Sequence, residues 1–107
     1  MKKGLVVIAL YQLKNAADQS KLVELLHQHE QVLREEKMIN RKTHYVLRAK
    51  KEMFLEIFEW KSKAMMENAH DNPKIRELWT ALGQLAHFVP MSQLEEVGTT
   101  FPHFNPL

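Results

Sequence analysis

The 107-residue chain contains no cysteine. It therefore carries no disulfide framework, no thiolate nucleophile and no thiolate metal site. Only three glycines are present, and none opens a phosphate-cradling loop, which removes the common nucleotide motifs. A large excess of charge of one sign is also missing. Fifteen Lys and Arg stand against thirteen Asp and Glu, interleaved along the chain, and a net charge of +2 is too small to mark a nucleic-acid partner. No apolar run has the length of a membrane span; Leu5 to Leu10 is a strand-length patch, followed at once by polar side chains. It reads as a first strand rather than a leader. The expected setting is cytoplasmic, without nucleic acid or membrane.

What is there suits one soluble domain: 45% hydrophobic and 26% charged residues fall in the ordinary globular range. The chain divides into a domain over 1–97 and an irregular tail over 98–107. Leu5 to Leu13 is rich in Val, Ile and Leu and reads as a strand. Asn15 or Asp18 is placed to cap a helix whose apolar face carries Leu22, Leu25, Leu26, His29, Val32 and Leu33 and which ends near Lys37. Ile39 to Ala49 alternates like a strand. Lys50, Lys51 and Glu52 form a charged turn, and a second strand from Met53 or Phe54 to Trp60 completes an antiparallel hairpin.

Ser62 is an N-cap for a helix through His70, and Asn72-Pro73 closes that helix and starts another. The new helix carries Ile75, Leu78, Trp79, Leu82, Leu85, Ala86 and Val89 on one stripe, with Pro90 as its stop. Met91 to Val97 is expected to supply the last strand. Strand, helix, strand, strand, helix, strand predicts an α+β fold: the ferredoxin-like βαββαβ arrangement, a four-stranded antiparallel sheet with helices on one face.

Pairing Leu47 with Leu55 and Tyr45 with Ile57 gives a helix-facing set. The opposite set is His44, Val46, Arg48, Phe54, Glu56, Phe58 and Trp60. That second face is too apolar to stand bare, so two copies are expected to pack sheet to sheet as a homodimer. Among its aromatics Glu56, His44 and Arg48 are polar groups that need partners. They suit either an interface ion pair or a cavity for an aromatic ligand.

Metal binding finds no support in the spacing: His27 and His29 stand two apart on a helix and point to different sides. His29, on the apolar stripe, reads as a hydrogen-bonded core or interface residue. His87 and His103 read as surface. His70 remains as the candidate general base, imidazole being the side chain that changes charge near neutral pH.

Glu-Trp-Lys-Ser-Lys-Ala at 59–64, Ala-His at 69–70 and Asn-Pro at 72–73 resemble the antibiotic biosynthesis monooxygenase family of dimeric α/β-barrel proteins, many of them described as quinol monooxygenases. The resemblance runs from about Val6 to Leu94. It implies a cofactor-independent monooxygenase acting with oxygen on a small aromatic, phenolic or quinol-like molecule. His70 would be the catalytic base, and Tyr11, His44, Arg48, Glu56, Phe58 and Trp60 the substrate-binding residues. The haem-degrading branch of that family is not matched. Ala69 and Trp79 fall where its Trp and His would be, and the first strand has no Asn. The competing class is a non-catalytic ligand-binding or regulatory dimer on the same barrel, since a fold does not dictate a function.

Overall fold

The first strand, β1 (Leu5–Leu13), belongs to a five-stranded antiparallel sheet in a computed structural model that describes residues 4–107. Asn15 accepts from the Ala17 amide in a short 3₁₀ turn, and α1 (Gln19–Glu35) follows. It buries Leu22, Leu26, His29 and Leu33, the apolar face expected from their spacing. The hairpin consists of β2 (Tyr45–Arg48) and β3 (Met53–Trp60), which pairs with β1 over its whole length. Ser62 caps α2 (Lys63–Ala69) by accepting from Met65, and Asn72 caps α3 (Pro73–Leu85) with proline in its first turn. Strand β4 (Ala86–Val89) returns beside β1, and β5 (Asn105–Pro106) pairs with β2. The sheet order is β4-β1-β3-β2-β5. Its first four strands are compatible with the ferredoxin-like arrangement.

The expected final strand at Met91 to Val97 is not formed; Met91–Gln93 and Glu95–Gly98 are 3₁₀ turns. The strand comes earlier because the amphipathic stripe does not continue as helix to Val89. Ala86 is already extended (φ −146°, ψ 155°), and the next residues pair with β1, placing Phe88 opposite Tyr11. Ladder pairing outweighs local helical periodicity here. Lys14 closes the end of α3, its ammonium donating to the Gly83 carbonyl at 2.9 Å.

The hairpin register is the one expected, Tyr45 opposite Ile57 and Leu47 opposite Leu55. The two faces, however, are exchanged. Phe54, Glu56, Phe58 and Trp60 face the helices of their own chain: Phe54 packs with Leu22, Leu26 and Leu82, and Trp60 with Leu33, Ala69 and Ile75. Alternation along a strand separates the faces but does not say which one the helices cover. The Phe54-to-Trp60 stripe is therefore buried within one chain and gives no reason for a dimer.

Two cross-strand rows occupy the other face. Val89, Leu10, Leu55, Leu47 and Pro106 form one, which is covered by Leu94 and, from the tail, by Phe104. Ile8, Ile57 and Tyr45 form the second; Ile8 and Tyr45 are exposed, with Val6 beyond them. The tail is thus partly structural, although Phe101 stands in solvent. Among the described residues no helix is long and apolar enough to cross a membrane.

Candidate functional site: a buried carboxylate beneath an aromatic pocket

Glu56 projects from the middle of β3 toward the helices and is completely buried. A carboxylate in such surroundings is tolerated only when its lone pairs are used. Here three donors use them. Tyr11 from β1 donates its hydroxyl to Oε1 at 2.7 Å, while His29 Nδ1 from α1 and His44 Nε2, just before β2, each lie 2.7 Å from Oε2. Burial pushes the Glu56 carboxyl up, but the imidazoles of His29 and His44 outweigh it and hold the carboxyl at about 2.

His44 sits between two acids. Its Nδ1 is 2.9 Å from Glu30 Oε1, an ion-pair distance without hydrogen-bond alignment. Burial works to lower the His44 value, yet Glu56 and then Glu30 raise it on balance, favouring the imidazolium. Glu30 in turn pairs with Arg34 at 2.9 Å, which carries the network to the surface. The Tyr11 hydroxyl is pushed well above its ordinary value, by burial first and then by the charge of Glu56. Tyr11 thus acts as a hydrogen-bond donor.

His29 links this network to a pocket. Trp79 on α3 donates its indole Nε1–H to His29 Nε2 at 3.0 Å. An indole nitrogen can only donate, so His29 Nε2 presents a lone pair and the ring proton sits on Nδ1, aimed at Glu56. The pocket, about 420 Å³, is lined by Ala9, Leu10, Tyr11, His29, His70, Trp79 and Phe88. Its walls are mostly rings. Tyr11 meets Phe88 edge-on at 5.5 Å, and His70 meets Trp79 at 5.1 Å.

Of the residues expected from sequence, Tyr11 and His70 line the pocket, His70 from an exposed position just after α2. Glu56 and His44 lie behind it, joined to each other as anticipated. Phe58 packs against both imidazoles of the network, 5.4 Å from His44 and 5.8 Å from His29. Trp60 contacts Phe58 at 5.1 Å and belongs to the core below. Arg48 stands apart: it faces Glu52 at 3.9 Å in the hairpin turn, away from Glu56. The face exchange explains why Glu56 and His44 meet α1, and through His29 the Trp79 of α3, rather than a second sheet. Sequence reasoning missed His29 and Trp79 as pocket residues. The available signal was the imidazole itself, the one polar group on the buried face of α1, which had to find a partner. Among the described residues, no group of three or more His, Cys, Asp or Glu is arranged to hold a metal ion.

No protein-family model matches the chain, and no curated protein matches its sequence. A solved structure does resemble it: a conserved protein of unknown function from Bacteroides thetaiotaomicron, described as a possible oxidoreductase. The two superpose with a TM-score of 0.70 at 9% identity, over 83% of this chain and 94% of that one. At that identity the likeness is one of fold.

Proposed function

We propose that the protein is a small cofactor-independent monooxygenase of the antibiotic biosynthesis monooxygenase type, acting in the cytoplasm on an aromatic, phenolic or quinol-like substrate. The observation that carries this reading is the ring-walled pocket with two imidazoles on its lining, His29 and His70. Such walls suit a flat aromatic molecule, and an imidazole suits removal of its phenolic proton. The resemblance around Trp60 to Pro73 and the possible oxidoreductase of the same fold point the same way.

In the reaction, His70 takes the proton of the hydroxyl at the exposed side of the pocket and leaves an electron-rich phenolate. The phenolate passes an electron to O₂, and the two radicals combine at a ring carbon. The O–O bond then breaks: one oxygen stays on carbon as the new quinone carbonyl and the other leaves as water. A phenol plus O₂ thus gives a quinone plus H₂O, with O₂ the only oxidant. The apolar walls hold the reacting pair together and exclude water.

Two copies would associate through the exposed row of Ile8, Ile57 and Tyr45, closing the barrel sheet to sheet. Oxygen uptake and quinone absorbance on a panel of naphthols and hydroquinones test the activity. Turnover that falls on the order of a hundredfold in His70→Ala, with unchanged circular dichroism, is the expected result. Tight binding of the panel without oxygen uptake would establish the ligand-binding alternative instead.

A further inference from the structure

The Trp79–His29 hydrogen bond spends the lone pair of a pocket imidazole on an indole that lies on the same pocket wall. Behind His29 the arrangement is that of a supported base. Glu56 fixes the tautomer by accepting from Nδ1, just as the acid of a catalytic triad orients its histidine. Glu56 is itself held by Tyr11 and His44. A purely structural buried carboxylate needs donors; it does not need one of them to continue to a cavity lined with aromatic rings.

We propose that His29 is the inner proton acceptor of the pocket, that a ligand hydroxyl displaces the Trp79 indole N–H from Nε2, and that Glu56 is the positioning residue behind it. This deepens the phenolic-substrate reading and rests on it. The step is a single proton transfer. The ligand O–H bond breaks with its electron pair left on oxygen, an N–H bond forms at Nε2, and Nδ1–H stays on Glu56. The buried Glu56 carboxylate faces the new imidazolium and stabilises it. His44, between Glu56 and Glu30, supplies the compensating positive charge that keeps Glu56 ionised. The charged and titratable groups around His29 are then Glu56 on β3, Tyr11 on β1, His44 before β2, Glu30 beside it on α1, and His70 across Trp79. A quinol, with two hydroxyls, would find an imidazole for each: His29 within the pocket and His70 at its exposed side.

The test uses 4-nitrophenol, whose phenolate is yellow and whose phenol is not, bound to the full chain. His29→Gln is the informative variant: the amide can still donate to Glu56 and accept from Trp79, but it takes no proton. Wild type should hold the probe as phenolate at pH values where free probe is neutral. His29→Gln should abolish that colour; His70→Ala, which removes the base for an outer hydroxyl that this one-hydroxyl probe lacks, should retain it. Trp79→Phe, which frees Nε2, should tighten binding severalfold. Glu56→Gln should move the colour change of the bound probe to higher pH, a displacement that mere loss of packing would not produce. Colour retained in His29→Gln and lost in His70→Ala would overturn the proposal, as would a probe that never becomes phenolate in any variant. Oxygen uptake separates the two readings. Phenolate at His29 without oxygen uptake defeats the oxygenase and leaves this proposal standing, whereas normal oxygen uptake in His29→Gln does the reverse.

Discussion

His44 Nε2 lies 2.7 Å from Glu56 Oε2, and the pair makes the stability of the fold depend on pH from both sides. Glu56 is depressed to about 2, so its contribution is complete above its ordinary value of 4.5 and is lost as the pH falls toward 2. His44 is raised, so its contribution is complete below 6.5 and is lost as the pH climbs through the raised value. Both are fully present between about 4.5 and 6.5. The urea midpoint should therefore be highest in mildly acidic solution and decline above pH 6.5. In His44→Gln that alkaline decline should flatten; an unchanged slope would assign it to another group.

Removing the carboxylate altogether strands three donors. Glu56→Ala should cost on the order of 3–5 kcal/mol, because Tyr11, His29 and His44 are left without their acceptor in a dry interior. Tyr11→Phe removes one donor of the three and should cost about 1–3 kcal/mol. Thermal unfolding followed by circular dichroism measures both. A Glu56→Ala protein as stable as wild type would mean that the network contributes nothing to the fold.

The exchange of sheet faces changes what two aspartate substitutions report. Trp60 is packed among Leu33, Ala69 and Ile75, so Trp60→Asp should unfold the chain itself. Ile8 lies on the exposed row, so Ile8→Asp should leave the circular dichroism unchanged and convert a dimer to a monomer in analytical ultracentrifugation. An Ile8→Asp protein that sediments as wild type does would remove this row from any interface.

The β2–β3 turn holds Lys51 and Glu52 at φ of 59° and 58°, with the Met53 amide bonded to the Lys50 carbonyl. Both central residues are thus left-handed, a turn conformation suited to asparagine and glycine. Glu52→Gly should stabilise the protein by about 1 kcal/mol, provided that its 3.9 Å contact with Arg48 is worth little at the surface. A rise of a few degrees in Tm is the expected reading, and a fall would show that the contact matters more than the backbone.

Local signals in this sequence were legible wherever one residue type answers one backbone demand. Ser62 and Asn72 cap the helices they were expected to cap, and the Leu47–Leu55 and Tyr45–Ile57 pairs follow from parity and a short turn. Which face of β3 meets the helices was not legible, because both faces are apolar. The answer depends on His29 reaching Glu56, and Trp79 reaching His29, from other elements, at sequence separations of 27 and 50. The last strand was hidden for a related reason. Val89 and Ala86 extend the α3 stripe in sequence, and only pairing with β1 draws them out as strand. The candidate site was half visible. Its polar residues announced that they needed partners, but their partners lay on stripes that read as plain core.

Strand β5 is only two residues long, yet one of them is Pro106, set opposite Leu47 at the outer edge of the sheet. Proline has no amide hydrogen to offer a further strand. The outer side of β2, which would otherwise present a row of unpaired backbone groups, is covered by a segment that is a poor template for another chain. Growth of the sheet by edge-to-edge addition is thereby disfavoured on that side.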